Sequence, residues 1–211
     1  MRKGRLGIAL IIAGLVLFVG RVAWFRTRTC VPVRMPISLS VGHIRTSEFK
    51  LNLRKLYLIE IEVQKRLPFD TLDCILGIGD AISGKCDNIP SVVNASWSLS
   101  TAGVTIGSGS STEGRGGAWT DNTAARLLGS FIAEPGRLYT LEVDVLANGS
   151  FLNQTNPQLK VEVDPRYYEE SALWDIPVFL ASAVLVVVGV RILWKGNRQR
   201  PVVPKFLRSV S

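Results

Sequence analysis

Tyr57-Leu58-Ile59-Glu60-Ile61-Glu62-Val63 is the stretch that sets the fold class. Tyr57, Ile59, Ile61 and Val63 fall on one side of a period-two pattern and Glu60 and Glu62 on the other, as in a half-buried strand whose glutamates face outward. Tyr139-Thr140-Leu141-Glu142-Val143-Asp144-Val145 repeats the pattern 82 residues later. Each copy is announced by a phenylalanine, Phe49 ahead of Tyr57 and Phe131 ahead of Tyr139, at the same offset. Each therefore predicts a short strand, a turn and a longer strand. The second turn is Glu134-Pro135-Gly136. Two equivalent hairpins in a pseudo-symmetric domain give such an echo, and so does convergence of separate hairpins on one pattern.

Further alternating runs lie on either side. Val31, Val33, Met35, Ile37 and Leu39 alternate, with Pro32 and Pro36 confining that run to a sheet edge. Phe49, Leu51 and Leu53 follow, and Cys74, Leu76 and Ile78 read as a short buried strand. Val93, Ala95, Trp97 and Leu99 lead through Thr101-Ala102-Gly103 into Val104–Gly107, a hairpin signature. Leu127–Ala133, Leu138–Leu146 and Leu159–Val163 complete the set. Val41-Gly42-His43-Ile44 reads as a turn, and the Gly/Ser-rich stretch 107–117 as the least ordered part. No run of ten or more residues between the chain ends has a helical period. The domain is read as all-β, with about eight antiparallel strands. Strands that begin and end near the two chain-terminal segments require an even number of crossings.

Pro135-Gly136-Arg137-Leu138-Tyr139-Thr140-Leu141 resembles the corner before a late strand in immunoglobulin-like and fibronectin-type sandwiches, where a tyrosine hydroxyl ties back to the backbone. The resemblance implies a β-sandwich, immunoglobulin-like or jelly-roll-like, and no particular function.

Outside this domain lie two apolar segments, residues 6–25 and 173–194. Their uncharged stretches run Leu6–Gly20 and Ile176–Val190. A bilayer core of about 30 Å takes about 20 mostly apolar residues. Each segment reaches that length if Arg21 and Arg191 snorkel to the headgroups. Trp24, Trp174, Trp194 and Lys195 join these arginines as expected membrane-interface residues. Arg2, Lys3 and Arg5 before the first segment resemble a signal-peptide n-region. Gly20-Arg21-Val22-Ala23 offers no clean cleavage site, which favours an uncleaved anchor. Ala9 and Ala13, with Gly14 beside them, suggest a small-residue packing face. Its partner is expected to be the second span around Ala181, Ser182 and Ala183, with a separate membrane protein as the rival.

The net charge of +8 sorts by region: +4 in residues 1–25, −1 in 26–172 and +5 in 173–211. The basic excess is thus a signal of topology and of contact with anionic lipid. A neutral central domain excludes nucleic acid as a partner. The expected layout is a cytoplasmic N-terminus (1–5), a transmembrane helix (6–25), an extracytoplasmic sandwich (26–172), a second transmembrane helix (173–194) and a basic cytoplasmic tail (195–211). The central domain is then periplasmic or extracellular.

Oxidation is permitted there, and Cys74 and Cys86 are expected to form a disulfide worth roughly 3 kcal/mol. Cys30 is left over, as a bridge, a lipidated residue or a plain thiol. His43 is the chain's one histidine. The Glu60/Glu62 and Glu142/Asp144 pairs are read as outward faces. Asp70, Asp73, Asp80, Asp87 and Asp121-Asn122 match no calcium-loop spacing and are read as solvated. No catalytic residue, metal site or cofactor is expected. Asn94, Asn148 and Asn153 head glycosylation sequons. Three functions are open: a non-enzymatic membrane-anchored subunit binding another membrane or extracytoplasmic protein; a carbohydrate- or surface-ligand-binding module with Trp119 as its contact; and a membrane-bound hydrolase, which needs a deep pocket of convergent polar groups.

Overall fold

The computed structural model describes residues 2–78, 86, 90–113 and 116–198. Asp80, Asp87 and most of the basic tail lie outside the described residues. Residues 28–167 form one compact unit, and the two terminal helices form another.

The β unit consists of two antiparallel sheets. One runs in the order β1 (Val33–Pro36), β10 (Gln158–Val163), β4 (Leu56–Gln64), β8 (Thr123–Ile132), β7 (Gly117–Trp119). The other runs β2 (Gly42–Arg45), β9 (Leu138–Val145), β5 (Ala95–Thr101), β6 (Val104–Ser110), with β3 (Phe49–Lys50) also on β9. The inward sides of both meet in one core, where Tyr57, Ile59 and Ile61 join Leu99, Leu141 and Val143. These are the inner positions of the alternating runs.

The echo has a physical basis, but the two copies are not hairpins. Phe49 pairs with Tyr139 across β3 and β9, and Tyr57 with Phe131 across β4 and β8. Each phenylalanine meets the tyrosine of the other copy, because each chain segment arches from one sheet to the other. The rings meet in a chain, with centroids 6.0 Å (Phe49–Tyr139), 5.6 Å (Phe131–Tyr139) and 5.8 Å (Tyr57–Phe131) apart. Both tyrosine hydroxyls are tied down. That of Tyr139 accepts from the Glu134 N–H at 2.8 Å, the corner bond the resemblance implied, and that of Tyr57 donates to the Thr29 carbonyl at 2.7 Å.

β1 and β10 are antiparallel neighbours, Val33 opposite Val161. The chain thus enters and leaves by one pole, through ten strands among the described residues, several very short. Three local expectations fail. Cys74 and Leu76 lie in a helix, α2 (Phe69–Leu76), entered after Pro68 and closed by Gly77 at φ 73°. Leu72, Ile75 and Leu76 are its buried stripe at helical spacing. His43 sits in strand β2, with its Nδ1 2.7 Å from Asp144. Val104–Gly107 forms the expected hairpin arm, but the strand runs on to Ser110, into the stretch read as least ordered. Gly107 and Gly109 face the Trp97 indole, which at Gly109 occupies the space a side chain would need.

The two terminal helices, α1 (Arg2–Arg26) and α3 (Arg166–Arg198), are both long and apolar enough to cross a membrane. They pair antiparallel with a seven-residue period. A Cβ on Gly7 would meet the Gly189 carbonyl at 2.8 Å, one on Gly14 would meet the Ser182 carbonyl at 2.8 Å, and Arg21 bonds Asp175. Spacing by sevens keeps one seam in contact, as in a coiled coil. The contact is therefore made by Gly7, Gly14, Ser182 and Gly189, while Ala9 and Ala13 are exposed. In this register Leu6–Gly20 and Ile176–Val190 lie side by side, about 22 Å long. Pro177, in the twelfth position of α3, is on the exposed side of the pair.

Candidate functional site

Three features could carry function, and each follows from the strand pattern. The first is the set of sheet edges. An edge strand offers unpaired N–H and C=O groups, and proteins blunt such edges with charge, proline or brevity. β1 has four residues, among them Arg34 and Pro36. β7 has three. β2 has four, tied to β9 by the His43–Asp144 contact and the Arg45–Glu142 ion pair. β6 has seven residues with no charge and no proline. Its Val104 and Ile106 are 64% and 45% exposed. It is held to β5 through the turn Ala102-Gly103, both at positive φ. On its other side it has no strand partner among the described residues.

The second is a cavity of about 270 Å³ lined by Gly77, Ser91, Asn94, Ser111, Thr112 and Arg126, with Val93. Arg126 faces inward from β8 and is 5% exposed. It donates to the Gly77 carbonyl at the end of α2 and, at 2.7 Å, to the Ser111 carbonyl just past β6. Ser111 Oγ in turn accepts from Ala95 N–H and donates to the Val93 carbonyl. Hydroxyls, an amide and a guanidinium are binding and bracing groups; none of them is a general base at neutral pH. Cys74 and Cys86 are bonded, with Cα atoms 5.3 Å apart, which fits an oxidising compartment.

The third is the outward face of the first sheet. Glu60 and Glu62 do point away from the core, yet they are 2% and 7% exposed. Neighbouring strands cover them, because β4 is central. Lys160 on β10 lies opposite Glu60 and reaches Glu162 at 2.7 Å, Glu62 at 3.1 Å and Glu60 at 3.9 Å. Half-exposed Arg34 on β1 bonds Glu62 at 3.2 Å. Burial, followed by repulsion from Glu162, raises the Glu60 carboxyl to about 7 against the pull of Lys160. Burial opposes the charge on Lys160, but its bonds to Glu162 and Glu62 outweigh this and hold its pKa above the usual lysine value. Glu142 and Asp144, by contrast, lie on solvated strand faces.

Trp119 is on edge strand β7, not at a loop tip. Its ring is 4.3 Å from Phe69, has the Lys65 ammonium 5.3 Å from its centroid, and is partly buried against the core. Phe69 is the more exposed of the two rings. Among the sequon asparagines, Asn153 is engaged: it accepts from Leu39 N–H and donates to Ser38 Oγ. In the helix pair Trp24, Trp174, Arg191, Trp194 and Lys195 are exposed, while Arg21 is bound by Asp175 and the Ser171 carbonyl. The serine–glycine composition of β6 hid its edge from the sequence. Only the large Trp97 on the neighbouring strand signals that those glycines face a side chain.

No protein-family model and no curated protein matches the chain. A crystal structure from Sulfurospirillum deleyianum is similar at a TM-score of 0.46 and 15% identity, covering 64% of this chain and 98% of that one. A likeness of that size has no bearing on function.

Proposed function

We propose that this is a non-enzymatic, membrane-anchored protein whose two sheets form a sandwich of immunoglobulin-like or jelly-roll-like type. The domain lies on the outer side of the membrane and binds another membrane or extracytoplasmic protein. The observation that carries the binding reading is the unblunted edge of β6. A partner adds a strand there, with main-chain bonds supplying affinity and Val104 and Ile106 supplying apolar contact. The helix pair supports the topology. At one end Arg21 is neutralised by Asp175. At the other the register sets Arg5 level with Arg191, followed by Lys195, with no acid nearby in sequence. The uncompensated basic end is the cytoplasmic one.

The test is capture from mild detergent with the intact chain. Ile106→Lys places a charge on the edge, and Val41→Lys places one at another exposed position away from it. The partner is expected to be retained by Val41→Lys and lost with Ile106→Lys, and amides 104–110 should gain exchange protection in the complex. Retention by both variants, or protection confined to another strand, contradicts the reading.

A further inference from the structure

We propose that the Glu60 carboxyl, crowded beside Glu162 and Glu62, holds a proton and acts as a pH-operated latch between β4 and β10. This goes beyond the binding role above. The observation is the imbalance of charge on the outward sheet face. Glu60, Glu62 and Glu162 surround a single buried ammonium, Lys160, and the other cation present, Arg34, is half exposed and bonded to Glu62. Lys160 holds Glu162 at 2.7 Å and Glu62 at 3.1 Å but stands 3.9 Å from Glu60, so Glu60 is the carboxyl this ammonium serves least. Three carboxylates against one buried ammonium disfavour a charge on the least-served of them, which is then the one to keep a proton. The Glu60 Oε2 atom is buried and has no hydrogen-bond partner, which a neutral carboxyl tolerates better than a carboxylate.

Every strand packed against the pair is accounted for. β4 contributes Glu62, β10 Lys160 and β1 Arg34. β8 sets apolar Leu127 opposite Glu60, and its Arg126 points to the core. The 3-10 turn Ser150–Thr155, which also packs on β4, carries no charge, and among the described residues of these elements no further cation faces Glu60. When the proton leaves to solvent, two adjacent buried carboxylates repel across the β4–β10 seam. β10 is also the strand that carries β1, and only Asp164 and Pro165 separate its end from α3. Opening that seam loosens both strands that lead the chain into and out of the domain.

The sign of the effect follows. An unfolded glutamate loses its proton near 4.5, whereas the folded Glu60 holds it to about 7. Folding therefore takes up a proton in that window, and stability falls as pH rises through it.

The experiment is a titration of the full chain in mild detergent with glutamate carboxyl carbons labelled with ¹³C. One carboxyl is expected to titrate near pH 7 and to be missing in Glu60→Gln. The unfolding midpoint of the β domain should fall between about pH 5 and 8 and should stay level in Glu60→Gln. In Glu162→Gln the Glu60 titration should move down, so the latch remains testable if Glu60→Gln does not fold. All carboxyls titrating in the ordinary range, a near-neutral resonance that survives Glu60→Gln, or a Glu60 titration unmoved by Glu162→Gln would each overturn the latch.

Discussion

Replacing Gly129 by alanine is expected to destabilise the β domain by about 3 kcal/mol, at the upper end for overpacking a filled core. Gly129 lies on β8 opposite Ile59, and the Trp97 indole of the other sheet lies flat across it. An added Cβ meets indole atoms Cζ2, Cε2 and Nε1 at once. The same ring edge lies close to Gly109, where a Cβ would stand 2.9 Å from Nε1, and its N–H donates to the Leu128 carbonyl at 2.9 Å. Moving the ring also breaks that bond. Chemical denaturation of the full chain followed by tryptophan fluorescence measures the loss. Adding Trp97→Phe to Gly129→Ala should recover part of it, since the smaller ring vacates the contact. A Gly129→Ala protein as stable as the parent contradicts this packing.

Arg126→Met should cost a comparable amount, about 3 kcal/mol. The guanidinium reaches from β8 to two backbone carbonyls far apart in sequence, Gly77 behind α2 and Ser111 behind β6. Methionine fills much of the volume but leaves both buried carbonyls without this donor. Arg126→Lys should fare little better, because one ammonium cannot reproduce a planar fork that spans both acceptors. Equilibrium unfolding with the Cys74–Cys86 bond intact gives the number. A methionine variant within about 0.5 kcal/mol of the parent, the usual range for substitutions that disturb no buried feature, would show that the brace adds no stability.

Much of the β domain was legible because its strands bury alternate residues. The inward sets of β4, β5, β9 and β10 were readable residue by residue. Three features were not. Residues 69–76 form a helix of barely two turns, and a run as short as Cys74-x-Leu76-x-Ile78 fits a strand equally well. Pro68 and Gly77 were the available punctuation. Alternation sets Glu60 and Glu62 on the outward side of the sheet, where they lie, but it reports direction, not coverage. Their burial depends on β10, nearly a hundred residues away, bringing Lys160 and Glu162 alongside. The helix seam was hidden for a related reason. A small-xxx-small pattern drew attention to Ala9 and Ala13, whereas the contact follows a period of seven through Gly7, Gly14 and Arg21. Only the facing series Asp175, Ser182 and Gly189 makes that period visible.

If the paired helices hold the β domain outside a membrane, as proposed, single introduced thiols labelled in intact cells with a membrane-impermeant reagent, in a Cys30→Ser background, will report it. Ser108→Cys, on the β6 edge, should label from outside, and Ser209→Cys in the basic tail should label only after the membrane is permeabilised. The reverse pattern, or labelling of both from outside, contradicts the account.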